Sequence, residues 1–134
     1  MKLLLDTHIL AWALSGDPNL PPKAISLIND NNNQLFCSAA SIWEISIKHA
    51  KRPDLFGLSA ENAIRYCSDY GVFQLPLYFR HILSLDSLHR EENAPFHNDP
   101  FDRIMIAQAK TDNLFFVTHD ALLKYYNEPC VLYV

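Results

Sequence analysis

Five short apolar runs punctuate this chain, and their spacing restricts what it can fold into. They are Lys2–Leu5, Leu35–Ser38, Val72–Leu75, Leu114–Val117 and Cys130–Val134. Runs this short, bounded by polar or breaker residues, read as buried strands. The stretches between them read as helices. Thr7–Leu14 carries Ile9, Leu10, Ala13 and Leu14 at helical spacing, and Pro22 opens a second helix to about Asn31. Ser41-Ile42-Trp43-Glu44 has the pattern of a capping box and predicts a helix over Ser41–Lys51. Ser59 caps another, to about Tyr70, which Gly71 stops. Helices are also predicted over Tyr78–Leu88, Pro100–Thr111 and, briefly, Asp120–Tyr126, with a loop over His89–Asn98. Strands alternating with helices imply an α/β fold with a mainly parallel central sheet and helices on both faces.

At 134 residues the chain has room for one core, so a single domain over 1–134 is expected. No apolar run approaches the roughly 20 residues of a membrane span. Asp6 interrupts the N-terminal apolar run too early for a signal-peptide core, which makes export unexpected and the cytoplasm the default. Cys37, Cys67 and Cys130 are odd in number and widely spaced, and read as free thiols among apolar neighbours. A formal charge of −4 argues against a strongly basic nucleic-acid-binding domain. It leaves room for an enzyme that handles phosphates through metal ions. Three glycines, at 16, 57 and 71, are too few for a glycine-rich phosphate loop.

In open α/β sheets, sites form beyond the carboxyl ends of the strands. Asp6 follows the first strand directly, and Asp120 lies three residues beyond Val117. Glu44 sits in the first turn of the helix after the second strand. Asp99 and Asp102 begin the helix that leads into the Leu114 strand, with Asp99 at the N-cap, Pro100 at the first helical position and Asp102 at N3. Topology alone therefore brings five carboxylates from four segments to one edge. Acids so crowded repel one another unless a cation joins them, and hard oxygen ligands suit Mg²⁺ or Mn²⁺. Each acid also has a purely structural reading. Asp6, Asp99 and Asp120 are each placed to cap a helix, and Glu44 to complete the box with Ser41.

Other side chains gather near these acids. Thr118 is placed to hydrogen-bond a carboxylate or a metal-bound water. His8, His97 and His119 each lie within two residues of one of the acids, and read as hydrogen-bonding supports or substrate contacts rather than zinc ligands. Lys48, Lys51 and Arg52 complement a helix C-terminus, with Lys48 as a candidate contact to a phosphate backbone. Arg103 is a candidate partner for an acid or a phosphate. Trp12, Trp43 and Phe101 read as core rather than as base-stacking platforms.

Four segments resemble the PIN-domain ribonucleases, specifically toxins of the VapC type from bacterial toxin–antitoxin pairs. They are Leu4-Leu5-Asp6-Thr7-His8 with Ala11-Trp12, Ser41 to Lys48, His97 to Arg103 with Ile106-Ala107-Gln108-Ala109, and Val117-Thr118-His119-Asp120. They occur in the family's order and span nearly the whole chain. The resemblance implies a three-layer α/β/α fold and Mg²⁺- or Mn²⁺-dependent endonuclease activity on RNA. It also implies a homodimer, inhibition by a small antitoxin, and a possible larger complex with it. The carried-over ligands are Asp6, Glu44, Asp102 and Asp120, and Asp99 matches an extra acid of one branch. Two other readings of the residues stand beside it. One is a metal-dependent phosphatase or phosphotransferase with Asp6 as nucleophile, which the absence of a D-x-D pattern disfavours. The other is a non-catalytic module whose acids bind a basic partner.

Overall fold

The computed structural model describes residues 1–134. In chain order its elements are β1 (Lys2–Leu5), α1 (Thr7–Ser15), α2 (Pro22–Asn29), β2 (Gln34–Ser38), α3 (Ala39–Lys51), α4 (Ala60–Asp69), β3 (Phe73–Leu75), α5 (Phe79–Leu83), α6 (Pro100–Asp112), β4 (Phe115–Thr118) and β5 (Val131–Tyr133). Short 3₁₀ turns follow α5 (Ser84–Ser87) and β4 (Ala121–Tyr125). The five strands form one sheet in the order β3-β2-β1-β4-β5, and every pairing is parallel.

Alternation along the strands divides the core in two. Leu3 and Leu5 of β1 and Val117 of β4 face α1, α2, α3 and α4, packing with Ile9, Leu10, Ala24, Ile45 and Ala63. Leu4 and Phe116 face the other way, onto Ile104, Met105, Ile106, Ala107 and Ala109 of α6. The result is the three-layer α/β/α arrangement expected from the alternating runs. No helix is long and apolar enough to cross a membrane. Cys37 and Cys67 are buried free thiols and Cys130 is half-buried.

Four local expectations are corrected. Helix α3 starts two residues earlier than the capping-box pattern suggests. Ser38 is its N-cap and its hydroxyl accepts from the Ala40 amide at 3.0 Å. Ser41 and Glu44 are released from capping and turn inward. The span Tyr78–Leu88 divides into α5 and a 3₁₀ turn, and the last short helix is 3₁₀ throughout. Trp43 is 61% exposed rather than core, its ring edge-on to Phe101 with centroids 5.0 Å apart. The pattern misled there because Ile45, not Trp43, lies on the inward face of α3.

The chain builds outward from β1 in one direction through β2 and β3, then returns to add β4 and β5 on the other side. The crevice between β1 and β4 is therefore a topological switch point, where open α/β sheets bind ligands at the carboxyl ends of their strands. Leu5 is in register with Val117, and the Asp6 amide donates to the Val117 carbonyl at 3.0 Å. Asp6 and Thr118 leave the sheet side by side.

Candidate active site

Asp6 occupies the N-cap position of α1, yet its side chain makes no capping bond. It is buried, and its Oδ2 accepts the Thr118 hydroxyl at 2.6 Å. Thr118 is itself fully buried, and its oxygen accepts the Asp120 amide at 3.1 Å. One hydroxyl thus ties the ends of β1 and β4 to the segment carrying the next acid. Burial raises the Asp6 pKa, which the Thr118 hydrogen bond and His8 counter and Glu44 reinforces.

Glu44 reaches the same region from the first half of α3. Thr7 donates its hydroxyl to Glu44 Oε1 at 2.6 Å, and lies 3.0 Å from Ser41 Oγ. Lys48, one turn further along α3, pairs with Glu44 Oε2 at 2.9 Å. Both oxygens of this buried carboxylate are therefore engaged. Lys48, a candidate phosphate contact, is drawn to the acid instead.

Asp99 and Asp102 separate in role. Asp99 Oδ1 accepts the amides of Phe101 and Asp102 at 2.8 and 3.1 Å, the geometry of a helix N-cap. Asp102 is buried one turn inside α6. Burial comes first among the causes that push its pKa up to about 8, followed by the charges of Asp6, Asp99, Glu44 and Asp120. A carboxyl displaced that far senses all the other acids from its own position.

His97 contributes more than sequence spacing suggested. Its Nε2 lies 3.1 Å from Asp102 Oδ2, and its Nδ1 lies 2.9 Å from the Tyr126 hydroxyl. Burial lowers its pKa, which favours the neutral ring. A neutral ring that donates from Nε2 to the carboxylate accepts the Tyr126 proton at Nδ1. Arg103 in turn donates to the Tyr126 hydroxyl at 3.2 Å. Arg103, Tyr126 and His97 thus form a chain of hydrogen bonds that ends on Asp102, and Arg103 meets no acid directly. His97, Asp102 and Asp120 bring one ligand atom each within 4.8 Å of one another. The signal for His97 was present in the sequence: a histidine five residues before Asp102 can fold back on it once Asp99 caps the helix between them. Tyr126, distant in sequence, offered none.

Asp120 accepts the Leu122 amide at 2.9 Å with one oxygen, and caps the 3₁₀ turn. His8 and His119 are exposed at the mouth of the crevice on either side of the half-buried Trp12. The structure therefore brings Asp6, Glu44, Asp99, Asp102 and Asp120 into one electrostatic neighbourhood, in which Asp99 also caps α6.

This combination of a parallel sheet, a switch-point crevice and converging acids agrees with the family comparison. The PIN-domain model matches residues 3–128, and the chain belongs to the PIN-domain family. Among solved structures it resembles VapBC2 from Rickettsia felis, determined bound to a DNA fragment from their promoter. The TM-score is 0.68 at 17% identity, over 100% of this chain and 98% of that one. The DNA-bound VapBC of Salmonella typhimurium gives 0.64 at 14% identity, over 100% and 97%. VapBC-1 of nontypeable Haemophilus influenzae gives 0.56 at 20% identity, over 90% and 87%. At these identities the likeness is one of fold. A search of curated proteins by sequence found no match.

Proposed function

We propose that this chain is a divalent-metal-dependent endoribonuclease and the toxin of a VapC-type toxin–antitoxin pair. The observation that carries this reading is the cluster at Asp102, a buried carboxyl that shares a 4.8 Å grouping of ligand atoms with His97 and Asp120 and whose pKa burial and four neighbouring acids push up to about 8. An arrangement so costly when empty of cations fits a site built for them. The donors are hard carboxylate oxygens with one imidazole, a set suited to Mg²⁺ or Mn²⁺. Asp6, Asp102 and Asp120 would hold the metal, with Glu44 and His97 close by. When bound, such an ion polarises a phosphodiester and lowers the pKa of water.

The protein's own residues prepare the site. Thr118 orients the Asp6 carboxylate and opposes the burial that raises its pKa. The Arg103–Tyr126–His97 chain holds Asp102 toward Asp120. Thr7 and Lys48 fix both oxygens of Glu44. Asp99 anchors the first turn of α6, and so the direction in which Asp102 projects.

Two features support the partners. A cleft of about 700 Å³ runs along α1 and α4, lined by Trp12, Leu14, Phe56, Leu58, Tyr66 and Tyr70 among others. It begins at His8, beside Asp6, and is the place for an amphipathic segment of the antitoxin. Helix α5 presents Phe79, Ile82 and Leu83 at 85%, 46% and 78% exposure, at helical i, i+3, i+4 spacing. A second copy of the chain covering that face would make the homodimer.

The test is cleavage of RNA by the purified chain in Mg²⁺ or Mn²⁺. Cleavage should stop on chelation and be absent in Asp6→Asn. Activity that survives both treatments overturns the reading.

A further inference from the structure

A small cavity extends from two of the acids over ring surface that the metal chemistry does not use. It holds about 250 Å³ and is lined by Asp6, His8, Trp12, His119 and Asp120. Three of the five are rings. The His8 and Trp12 centroids are 5.7 Å apart, and those of Trp12 and His119 are 6.3 Å apart in an edge-on arrangement. His119 is held from behind. It stacks on Tyr133 with planes 18° apart and centroids separated by 5.4 Å, and its Nδ1 is hydrogen-bonded to the Val134 backbone oxygen. The Lys124 ammonium sits over the same Tyr133 ring, 3.8 Å from its centroid. An exposed histidine fixed in this way is a prepared surface rather than a mobile side chain.

We propose that this cavity is a nucleobase subsite, taking one unpaired base of the RNA strand next to the phosphodiester presented to the acids. The inference rests on the ribonuclease reading above. The volume falls below the range of whole drug-sized ligands and suits a single ring system. With Asp6 and Asp120 committed to a cation, what the cavity offers is ring surface. Stacking on aromatic rings binds any base by its π-face and requires the base to be free of a duplex. Lys124, held over the Tyr133 ring on which His119 stacks, carries a positive charge behind this wall of the cavity. His119 and Trp12 are therefore specificity residues that select a flipped or single-stranded nucleotide. Trp12 and His8 line the α1–α4 cleft as well. A partner seated in the cleft would close the subsite as well as approach the metal.

The experiment is an abasic scan. A short unstructured RNA cleaved by the wild-type chain in Mn²⁺ is prepared with one base removed at each position in turn. One position next to the cut should lower cleavage by roughly 5- to 150-fold, the span expected for loss of one stacked base. In His119→Ala the intact RNA should be weakened by a similar factor, with the abasic position losing its effect, and His119→Phe should restore the base dependence. A parallel readout uses Trp43→Phe, which leaves Trp12 as the sole tryptophan of the two. Its fluorescence should be quenched on rapid mixing with the intact RNA and not with the abasic one. Uniform cleavage across the scan, or equal base dependence in wild type and His119→Ala, overturns the subsite while leaving the nuclease standing. Quenching by an arginine-rich peptide but not by RNA assigns the cavity to a basic protein side chain and overturns it likewise. No cleavage of any RNA by the wild-type chain overturns both readings together.

Discussion

Thr118 donates its hydroxyl to the Asp6 carboxylate at 2.6 Å, joining side chains 112 positions apart in the chain. This bond opposes the burial that raises the Asp6 pKa. Thr118→Val keeps the shape and removes the donor. Asp6 then holds its proton to higher pH, and the Asp120 amide loses its acceptor. RNA cleavage near neutral pH should fall roughly 10- to 100-fold, as is usual when a group supporting a metal ligand is removed. Part of the loss should return as pH rises. A pH–rate profile that coincides with wild type would show that the hydroxyl does not tune Asp6.

Asp102 gives a prediction of opposite signs for stability and activity. In the metal-free chain near neutral pH it must take up a proton to escape the burial and the four neighbouring acids that raise its pKa to about 8. Asp102→Asn keeps the size and an acceptor for His97 and removes the need to bind that proton on folding. The variant should lose cleavage and melt at least about 2–4 °C higher than wild type without metal, the equivalent of roughly 1 kcal/mol in a domain of this size. Calorimetry in EDTA measures it, and an unchanged or lower Tm would contradict the electrostatic account.

The same group sets the pH dependence of stability. The folded pKa of about 8 lies above the unfolded value near 4. The folded chain therefore binds the extra proton between these limits. Its stabilising contribution is complete below about pH 4 and is lost as pH rises through about 8. The slope for one proton is at most about 1.4 kcal/mol per pH unit. Asp6 shifts in the same direction and adds to it. Melting temperature in EDTA should fall from pH 5 to pH 8, and saturating Mg²⁺ or Mn²⁺ should flatten the curve. A rising curve in EDTA would reverse the assignment.

Asp99 is expected to behave as a cap. Asp99→Ser and Asp99→Asn retain acceptors for the Phe101 and Asp102 amides, and should keep both stability and cleavage. Asp99→Ala should cost about 1 kcal/mol in denaturant unfolding. Loss of Mn²⁺ affinity in the serine variant at unchanged stability would instead make Asp99 a ligand.

The exposed face of α5 predicts the oligomeric state. Leu83→Glu places a charge among Phe79 and Ile82. Light scattering should report a dimer for the wild type and a monomer for the variant, with cleavage per chain compared alongside. A monomeric wild type removes α5 from consideration as an interface.

The layered fold was legible because short apolar runs alternate with helical ones. Leu3, Leu4 and Leu5 in succession belong on a strand buried on both faces, as they are. The convergence of Asp6, Glu44, Asp99, Asp102 and Asp120 followed from the same topology. Local chemistry was harder to read. Ser41 and Glu44 match a capping box, but Ser38 competes for the cap and wins, because a cap there extends the helix directly from β2. The support of Asp102 by Tyr126 and Arg103 depends on a tertiary contact with no short-range sequence signature. Trp43 was misplaced because a hydrophobic residue beside a core position carries no mark of which side of the helix it occupies.

The pairing of β1 with β4 also dictates when the molecule can act. β1 is the first strand synthesised, but its acid is completed only by Thr118 and Asp120 on the far side of the sheet. A contact of such high sequence separation carries a large loop-closure cost and slows folding. A nascent chain still lacking β4 carries Asp6 and Glu44 without a formed centre. Until that segment is added, the two acids stand in no fixed relation, and any chemistry of the crevice waits on the strand that supplies Thr118 and Asp120.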